Sequence, residues 1–221
     1  MERTIRVTGN GKLAVHPDTI RLRLCMEGMQ GEYQPALQTS SMMTEELKKL
    51  IEHQGFCRND LKTLSFQIDA EYESYQDKKD KSWKRMFSGY KFEHRMKLEF
   101  PSDNDKLGRL LYALAHSNVH PEISIEYTVA DPEAAKGELL KKAVQDSKAK
   151  ADVLSSAAGV QLGCIRSIDY SWGQIEMVTR PLDRAMLMAP TCDSECNSYQ
   201  MDIDPDDIDI EDTVTVVWDI Q

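Results

Sequence analysis

Leu64-Ser65-Phe66-Gln67-Ile68-Asp69-Ala70-Glu71-Tyr72 and, eighteen residues further on, Tyr90-Lys91-Phe92-Glu93-His94-Arg95-Met96-Lys97-Leu98-Glu99-Phe100 are the stretches whose reading decides the fold. In both, apolar and polar residues alternate. Side chains of a strand point to opposite faces in turn, so a period of two reads as two strands with one buried face each. On the way out the apolar set is Leu64, Phe66, Ile68, Ala70 and Tyr72. On the way back it is Tyr90, Phe92, His94, Met96, Leu98 and Phe100, against Lys91, Glu93, Arg95, Lys97 and Glu99. The two stretches are expected to pair as a long antiparallel hairpin.

Working outward, Pro101 ends the return strand, and Ser102 or Asp103 can cap a short helix carrying Leu107, Leu110, Leu111 and Leu114. Before the hairpin, Ile20, Leu22, Leu24 and Met26 alternate with Arg21 and Arg23, which predicts a strand with one wet face. A helix from about Tyr33 to Gln54 follows, with Ala36, Leu37, Ser40, Leu47, Leu50 and Ile51 near a 3.6 period and Gly55 as its stop. After the short helix, Ile123, Ile125, Tyr127 and Val129 predict another strand. Asp131-Pro132 then opens the longest helix, to about Ala158, with a small inner stripe of Ala135, Ala143, Ser147, Ala151, Leu154 and Ala158, closed by Gly159.

At the start, Ile5, Val7, Leu13 and Val15 share a parity around Gly9-Asn10-Gly11, which reads as a strand with a bulge or bend. A strand around Ile165–Trp172 and a last strand through Ile208, Ile210, Val214, Val216, Trp218 and Ile220 complete the set. The fold class expected is α+β: long antiparallel strands with a ferredoxin-like βαββαβ core, extended by a third helix and two further strands. The apolar parities are expected to turn inward beneath the three helices. No linker stands out, so 1–221 reads as one domain, with an irregular acidic segment at about 174–207.

The 221 residues are 41% hydrophobic and 29% charged, which excludes wholesale disorder. Asp and Glu number 37 against 27 Lys and Arg, for a net charge of -10, so a broad grip on nucleic acid is not expected. No stretch approaches a membrane-spanning apolar run. Residues 1–20 carry charges throughout and no secretory apolar stretch, and five cysteines lack framework spacing. A cytoplasmic location is expected, or a periplasmic or extracellular one if a signal peptide has been removed.

Several motifs together resemble the SIMPL-domain family, the bacterial periplasmic immunogenic-protein-like and oxidative-stress-associated proteins. They are Val7-Thr8-Gly9-Asn10-Gly11, Pro17-Asp18, Asn59-Asp60-Leu61-Lys62-Thr63, Gly89-Tyr90, Asp131-Pro132 with its alanine-spaced helix, Gly159-Val160-Gln161-Leu162-Gly163, and Val214-Thr215-Val216-Val217-Trp218. Their order and spacing carry the resemblance almost end to end. It implies an α+β fold, assembly into large rings or channel-like homo-oligomers, and no established enzymatic activity. It also implies a link to oxidative-stress defence in bacterial members and, for an animal member, binding to a signalling kinase. Against that pattern, residues 1–20 do not read as an export signal, and the segment before the last strand is more acidic and cysteine-bearing than expected.

Sites of chemistry are few. Gly9-Asn10-Gly11-Lys12-Leu13-Ala14 matches a dinucleotide fingerprint formally, but that chemistry needs a following helix and Pro17 stops one. Cys192 and Cys196, with His116 and His120, offer two thiols and two imidazoles at ligand-like spacing, yet solvated loop residues are the simpler reading. Cys192 and Cys196 can alternatively form a reversible disulfide, although their acidic surroundings disfavour the thiolate. Met26 and Met96 fall on buried parities, as core filler rather than oxidant scavengers.

Two charge clusters stand apart. Residues 193–212 hold Asp193, Glu195, Asp202, Asp204, Asp206, Asp207, Asp209, Glu211 and Asp212 and no Lys or Arg, without the spacing of a calcium loop. Lys78, Lys79, Lys81, Lys84 and Arg85 surround Trp83 at the hairpin tip, a small footprint for single-stranded nucleic acid and an ordinary soluble turn.

The reading that follows is a non-enzymatic, self-assembling protein without catalytic residues, cofactor or metal. It is expected to form a ring-like homo-oligomer, with the basic tip of one subunit near the acidic segment of the next. A protein- or peptide-binding adaptor using exposed strand edges is the alternative, and an enzyme the second, which a deep pocket containing His94 would favour.

Overall fold

A computed structural model describes residues 3–76, 83–170, 177–179, 199 and 203–221. Its elements in chain order are β1 (Thr4–Val15), β2 (Thr19–Gln30), α1 (Tyr33–His53), β3 (Lys62–Gln76), β4 (Trp83–Pro101), α2 (Asn104–Ala115), β5 (Glu122–Thr128), α3 (Pro132–Ala158), β6 (Leu162–Asp169) and β7 (Ile208–Ile220). The strands form a four-stranded sheet, β3-β4-β2-β5, and a three-stranded sheet, β1-β7-β6. The chain falls into two compact units, one built on Thr19–Glu126 and the other on Tyr127–Thr179 together with β1 and β7. The fold is α+β.

In the unit built on Thr19–Glu126, elements β2 to β5 run strand, helix, strand, strand, helix, strand, and the order β3-β4-β2-β5 is the ferredoxin-like one. The hairpin pairs as its alternation predicts, with Phe66 opposite His94, Ile68 opposite Phe92 and Ala70 opposite Tyr90. On β4 the expected parity is inward: Phe92, Met96, Leu98 and Phe100 are buried, together with Ile20, Leu22, Leu24 and Met26 of β2. The helix α1 lies on this face, burying Ala36, Ser40, Leu47 and Ile51 at helical spacing. It ends in a Schellman motif, with Gly55 N–H donating to the Glu52 carbonyl and Phe56 N–H to that of Ile51. Asp103 caps α2 by accepting from Lys106 N–H, and α2 buries Leu107, Leu110, Leu111 and Leu114.

The apolar set of β3 does not turn inward. Leu64, Phe66 and Tyr72 are exposed, because β3 is the edge strand and α1 packs on β2 and β4 instead. The periodicity groups Phe66 with Tyr72, but the register shift between Thr63 and Ser65 breaks it at Leu64, which lines a cavity on the opposite face; nor does a period of two say whether anything covers a face.

In the other unit, β1 and β7 pair without interruption from Thr4–Asp219 to Val15–Ile208. The expected bulge at Gly9-Asn10-Gly11 is absent. The glycines serve α3 instead, which lies across β1: a Cβ on Gly9 would sit 2.0 Å from the Ala143 carbonyl oxygen, and one on Gly11 2.3 Å from that of Leu139. Ser147 Oγ donates to the Val7 carbonyl at 3.2 Å, and Asp146 accepts from Asn10 N–H at 2.7 Å. The inner stripe of α3 is Leu139, Ala143, Ser147, Ala151 and Ser155. The expected Leu154 and Ala158 fall outside it, since a stripe at a constant interval of four runs on to Ser155. Val7, Val214, Val216 and Trp218 fill the layer beneath. The strand β6 begins at Leu162, earlier than expected, and Trp172 lies outside the described residues.

Candidate functional site

Three surfaces of the unit built on Thr19–Glu126 concentrate unusual chemistry. The first is the far half of the hairpin. Pairing of β2 with β4 ends at Gln30–Tyr90, while β3 and β4 continue together to Gln76–Trp83. Beyond β2 the hairpin is therefore a ribbon of two strands, and it carries large apolar side chains. Tyr72, Tyr75, Met86 and Phe87 are about half exposed and Trp83 is 73% exposed. Edge-to-face contacts link Tyr72 to Phe87 (5.7 Å), Phe87 to Tyr90 (5.2 Å) and Tyr90 to Tyr33 of α1 (5.5 Å), with the Arg85 guanidinium over Tyr72. The result is a continuous aromatic strip from the ribbon to the start of α1. Lys78, Lys79 and Lys81 of the expected basic cluster lie outside the described residues.

The second surface is a depression of about 310 Å³ beside α1, lined by Leu37, Thr44, Lys48, Phe66 and His94. The imidazole is buried and both of its nitrogens are engaged. Thr44 Oγ donates to the Ser40 carbonyl, so Nδ1–H of His94 donates to Thr44 Oγ at 3.1 Å. Nε2 then accepts from the Thr63 hydroxyl at 3.0 Å. Burial, and secondarily the Lys48 ammonium, hold His94 below the usual imidazole range. The ring thus fastens α1 to β3 through hydrogen bonds at both nitrogens.

The third is the sheet face opposite the helices, where the polar parities of β2 and β4 form a lattice of ion pairs. Arg21 bonds Glu99 at 2.6 Å, Lys97 bonds the same carboxylate at 3.0 Å, Lys91 bonds Glu27 at 2.7 Å, and Arg95 bonds Glu93. Burial pushes Glu99 upward, but its bonds to Arg21 and Lys97 bring it below the ordinary carboxylate value. Cys25 Sγ lies within 4.8 Å of carboxylate oxygens of Glu27 and Glu93. Burial first, then the Glu93 charge, raise its thiol, and both carboxylates already hold cations, so this trio is part of the lattice rather than an open ligand set.

The same face carries a half-open cavity of about 550 Å³, lined among others by Arg23, Cys25, Leu64, Arg95, Ser124 and Glu126. Glu126 is only 4% exposed. Arg23 Nε donates to its Oε1 at 2.8 Å, while Oε2 has no hydrogen-bond partner among the described residues. Alternation put Arg23 on the wet face of β2, but its partner across the sheet lies a hundred residues away and carries no local signal.

The remaining sequence candidates are not assembled into one site. His116 Nδ1 donates to the Tyr112 carbonyl at 2.8 Å and His120 Nδ1 to that of Asn118 at 3.3 Å, both on the surface. Cys192 and Cys196 lie outside the described residues. Met26 and Met96 are buried, as expected, whereas Met29, Met42 and Met86 are exposed. Of the acidic run, Asp193, Glu195 and Asp202 lie outside the described residues. Glu211 pairs with Lys12, Asp207 with His16, and Asp212 accepts from the Tyr170 hydroxyl. Among the described residues no helix is long and apolar enough to cross a membrane.

No curated protein matches the chain. A family model does, over residues 5–218, and its description is SIMPL, Protein of unknown function (DUF541). With the motifs, the ferredoxin-like sheet order and a match over nearly its whole length, the chain belongs to the SIMPL family.

Proposed function

We propose that this protein is a non-enzymatic, self-assembling subunit whose long hairpin makes the contacts of a ring-like homo-oligomer. The observation that carries this reading is the aromatic ribbon beyond Gln30–Tyr90, where Tyr72, Tyr75, Trp83, Met86 and Phe87 face solvent. Large side chains half exposed in that position contribute little within the chain beyond their edge-to-face contacts. Burying one of them in a contact contributes roughly 1.5–3 kcal/mol. Among the described residues no strand pairs with the outer edge of β3, which lies beside them.

Charge complementarity favours a second copy as the occupant. The ribbon tip is basic and the segment before β7 acidic in sequence, so a contact between the two would be head-to-tail, the kind of contact that builds a ring when its rotation closes. Ion pairs there would set register, at about 0–1 kcal/mol each. His94 supports the non-enzymatic part, since threonine hydroxyls occupy both its nitrogens. The free thiols Cys25, Cys57 and Cys164 suit a reducing, cytoplasmic setting. A role in oxidative-stress defence follows from the family resemblance.

Sedimentation velocity across protein and salt concentrations tests the reading. The wild-type chain is expected to run as a discrete multiple of its 25.2 kDa mass, and the double variant Trp83→Ala/Phe87→Ala as a monomer. A wild-type monomer at all concentrations, co-purifying with a fixed partner at constant stoichiometry, would replace this reading with that of an adaptor.

A further inference from the structure

The cavity on the open sheet face has the composition of a ligand site that the assembly reading does not use. Its volume, about 550 Å³, lies in the usual range for small-molecule pockets, about 300–1,000 Å³. One wall is a buried carboxylate, Glu126, satisfied on a single oxygen. A buried acceptor without a donor destabilises the site it sits in, and an incoming N–H removes that cost. The last torsion of a glutamate side chain is soft, so a small rotation turns either oxygen toward the cavity. The other wall is cationic. Arg23 meets Glu126 through Nε at 2.8 Å, and its side chain is half exposed, within reach of a further acceptor. Arg95, 62% exposed and paired with Glu93, also lines the cavity. Leu64, the residue at the register shift in β3, and Ile123 of β5 supply an apolar rim.

The charge balance narrows the ligand. Arg23 and Arg95 line it together with Glu122 and Glu126, so the lining is close to neutral and offers both signs. A phosphate would meet two carboxylates, and a bare metal cation two guanidiniums. A molecule that carries both signs a few bonds apart, with an apolar group, meets a partner at each point.

We propose that this cavity binds a zwitterionic free amino acid with an apolar side chain, its carboxylate on Arg95 and Arg23, its ammonium on Glu126 and Ser124, and its side chain against Leu64 and Ile123. Calorimetric titration of the full chain with L-phenylalanine and L-leucine tests it. Two half-molecules serve as comparisons: 3-phenylpropionate, which lacks the ammonium, and phenethylamine, which lacks the carboxylate. Saturable binding of an amino acid is expected, at least tenfold tighter than either half-molecule. Arg95→Ala, at an exposed position that leaves the melting temperature unchanged, is expected to weaken it at least tenfold, and Glu126→Gln to do the same. The proposal fails if neither amino acid gives saturable heat, if a half-molecule binds as tightly, or if Arg95→Ala leaves affinity unchanged. The hairpin variant Trp83→Ala/Phe87→Ala is expected to bind like wild type, which separates this site from assembly.

Discussion

The packing of α3 on β1 and the far half of the β3–β4 hairpin use side-chain size in opposite ways. Where α3 crosses β1, the contact is made of Gly9, Gly11, Ala143, Ser147 and Ala151, small groups that let backbone lie on backbone. At the ribbon, Tyr72, Tyr75, Trp83, Met86 and Phe87 are large and face water. The first arrangement only makes sense as a permanent internal contact, because nothing projects from it. The second contributes little within one chain and a great deal once covered. The difference teaches that apolar content alone does not mark a core: a stripe of small residues here holds a unit together, while a row of aromatics faces solvent.

The sharpest way to break this comparison is to add bulk on the small side. Gly9→Ala places a methyl 2.0 Å from the Ala143 carbonyl and 2.5 Å from the Ser147 nitrogen, helix backbone atoms that can only yield if α3 lifts. A destabilisation of about 3 kcal/mol is expected, read by chemical denaturation. Gly137→Ala, in the same helix with nothing within 4 Å, is the control and is expected to stabilise by about 1 kcal/mol. Equal effects of the two substitutions would mean that α3 is not held against β1 by close approach.

The glycines also show where sequence reading stopped. Parity grouped Val7 with Leu13 correctly, and the caps at Asp103, Asp131 and Gly159 stand where their residue types put them, because those signals are local. Gly9 and Gly11 read as a bulge because their actual reason, the helix segment Leu139 to Ser147 far downstream, leaves no mark in the adjoining sequence. Phe66 and Tyr72 show the matching limit on the hairpin: alternation assigned their common face, but only the positions of α1 and the sheet edge reveal that it is bare. Arg23 and Glu126 were invisible as a pair for the same reason as the glycines.

On the large side the comparison predicts the reverse pattern. Trp83→Ala/Phe87→Ala should leave folding stability within about 0.5 kcal/mol of wild type while abolishing the oligomer, read by denaturation of dilute samples alongside sedimentation. A large loss of stability would show that the ribbon is part of the fold's own support.

A smaller effect comes from His94, which fastens α1 to β3. Its folded-state value lies below the unfolded 6.5, so the unfolded chain binds the extra proton first. Stability from this group is therefore complete above pH 6.5, declines as pH falls from there toward the lower folded value, and then levels off. Denaturation of wild type and His94→Gln between pH 7.5 and pH 5 should show that slope in the wild type and its absence in the variant. The least effect is expected from neutralising Lys78, Lys79, Lys81, Lys84 and Arg85 together. Each lost surface pair changes assembly by about 0–1 kcal/mol, and the loss should be visible at low salt and vanish at high salt.

Hydrogen exchange at the amides of 71–76 and 83–89, followed as protein concentration is raised, tests the central claim most directly. The account predicts slow exchange along the outer edge of β3 and the flanking ribbon once the oligomer forms, with fast exchange on dilution. An oligomer whose ribbon amides exchange as quickly as those of the dilute chain would place the subunit contacts elsewhere and contradict it.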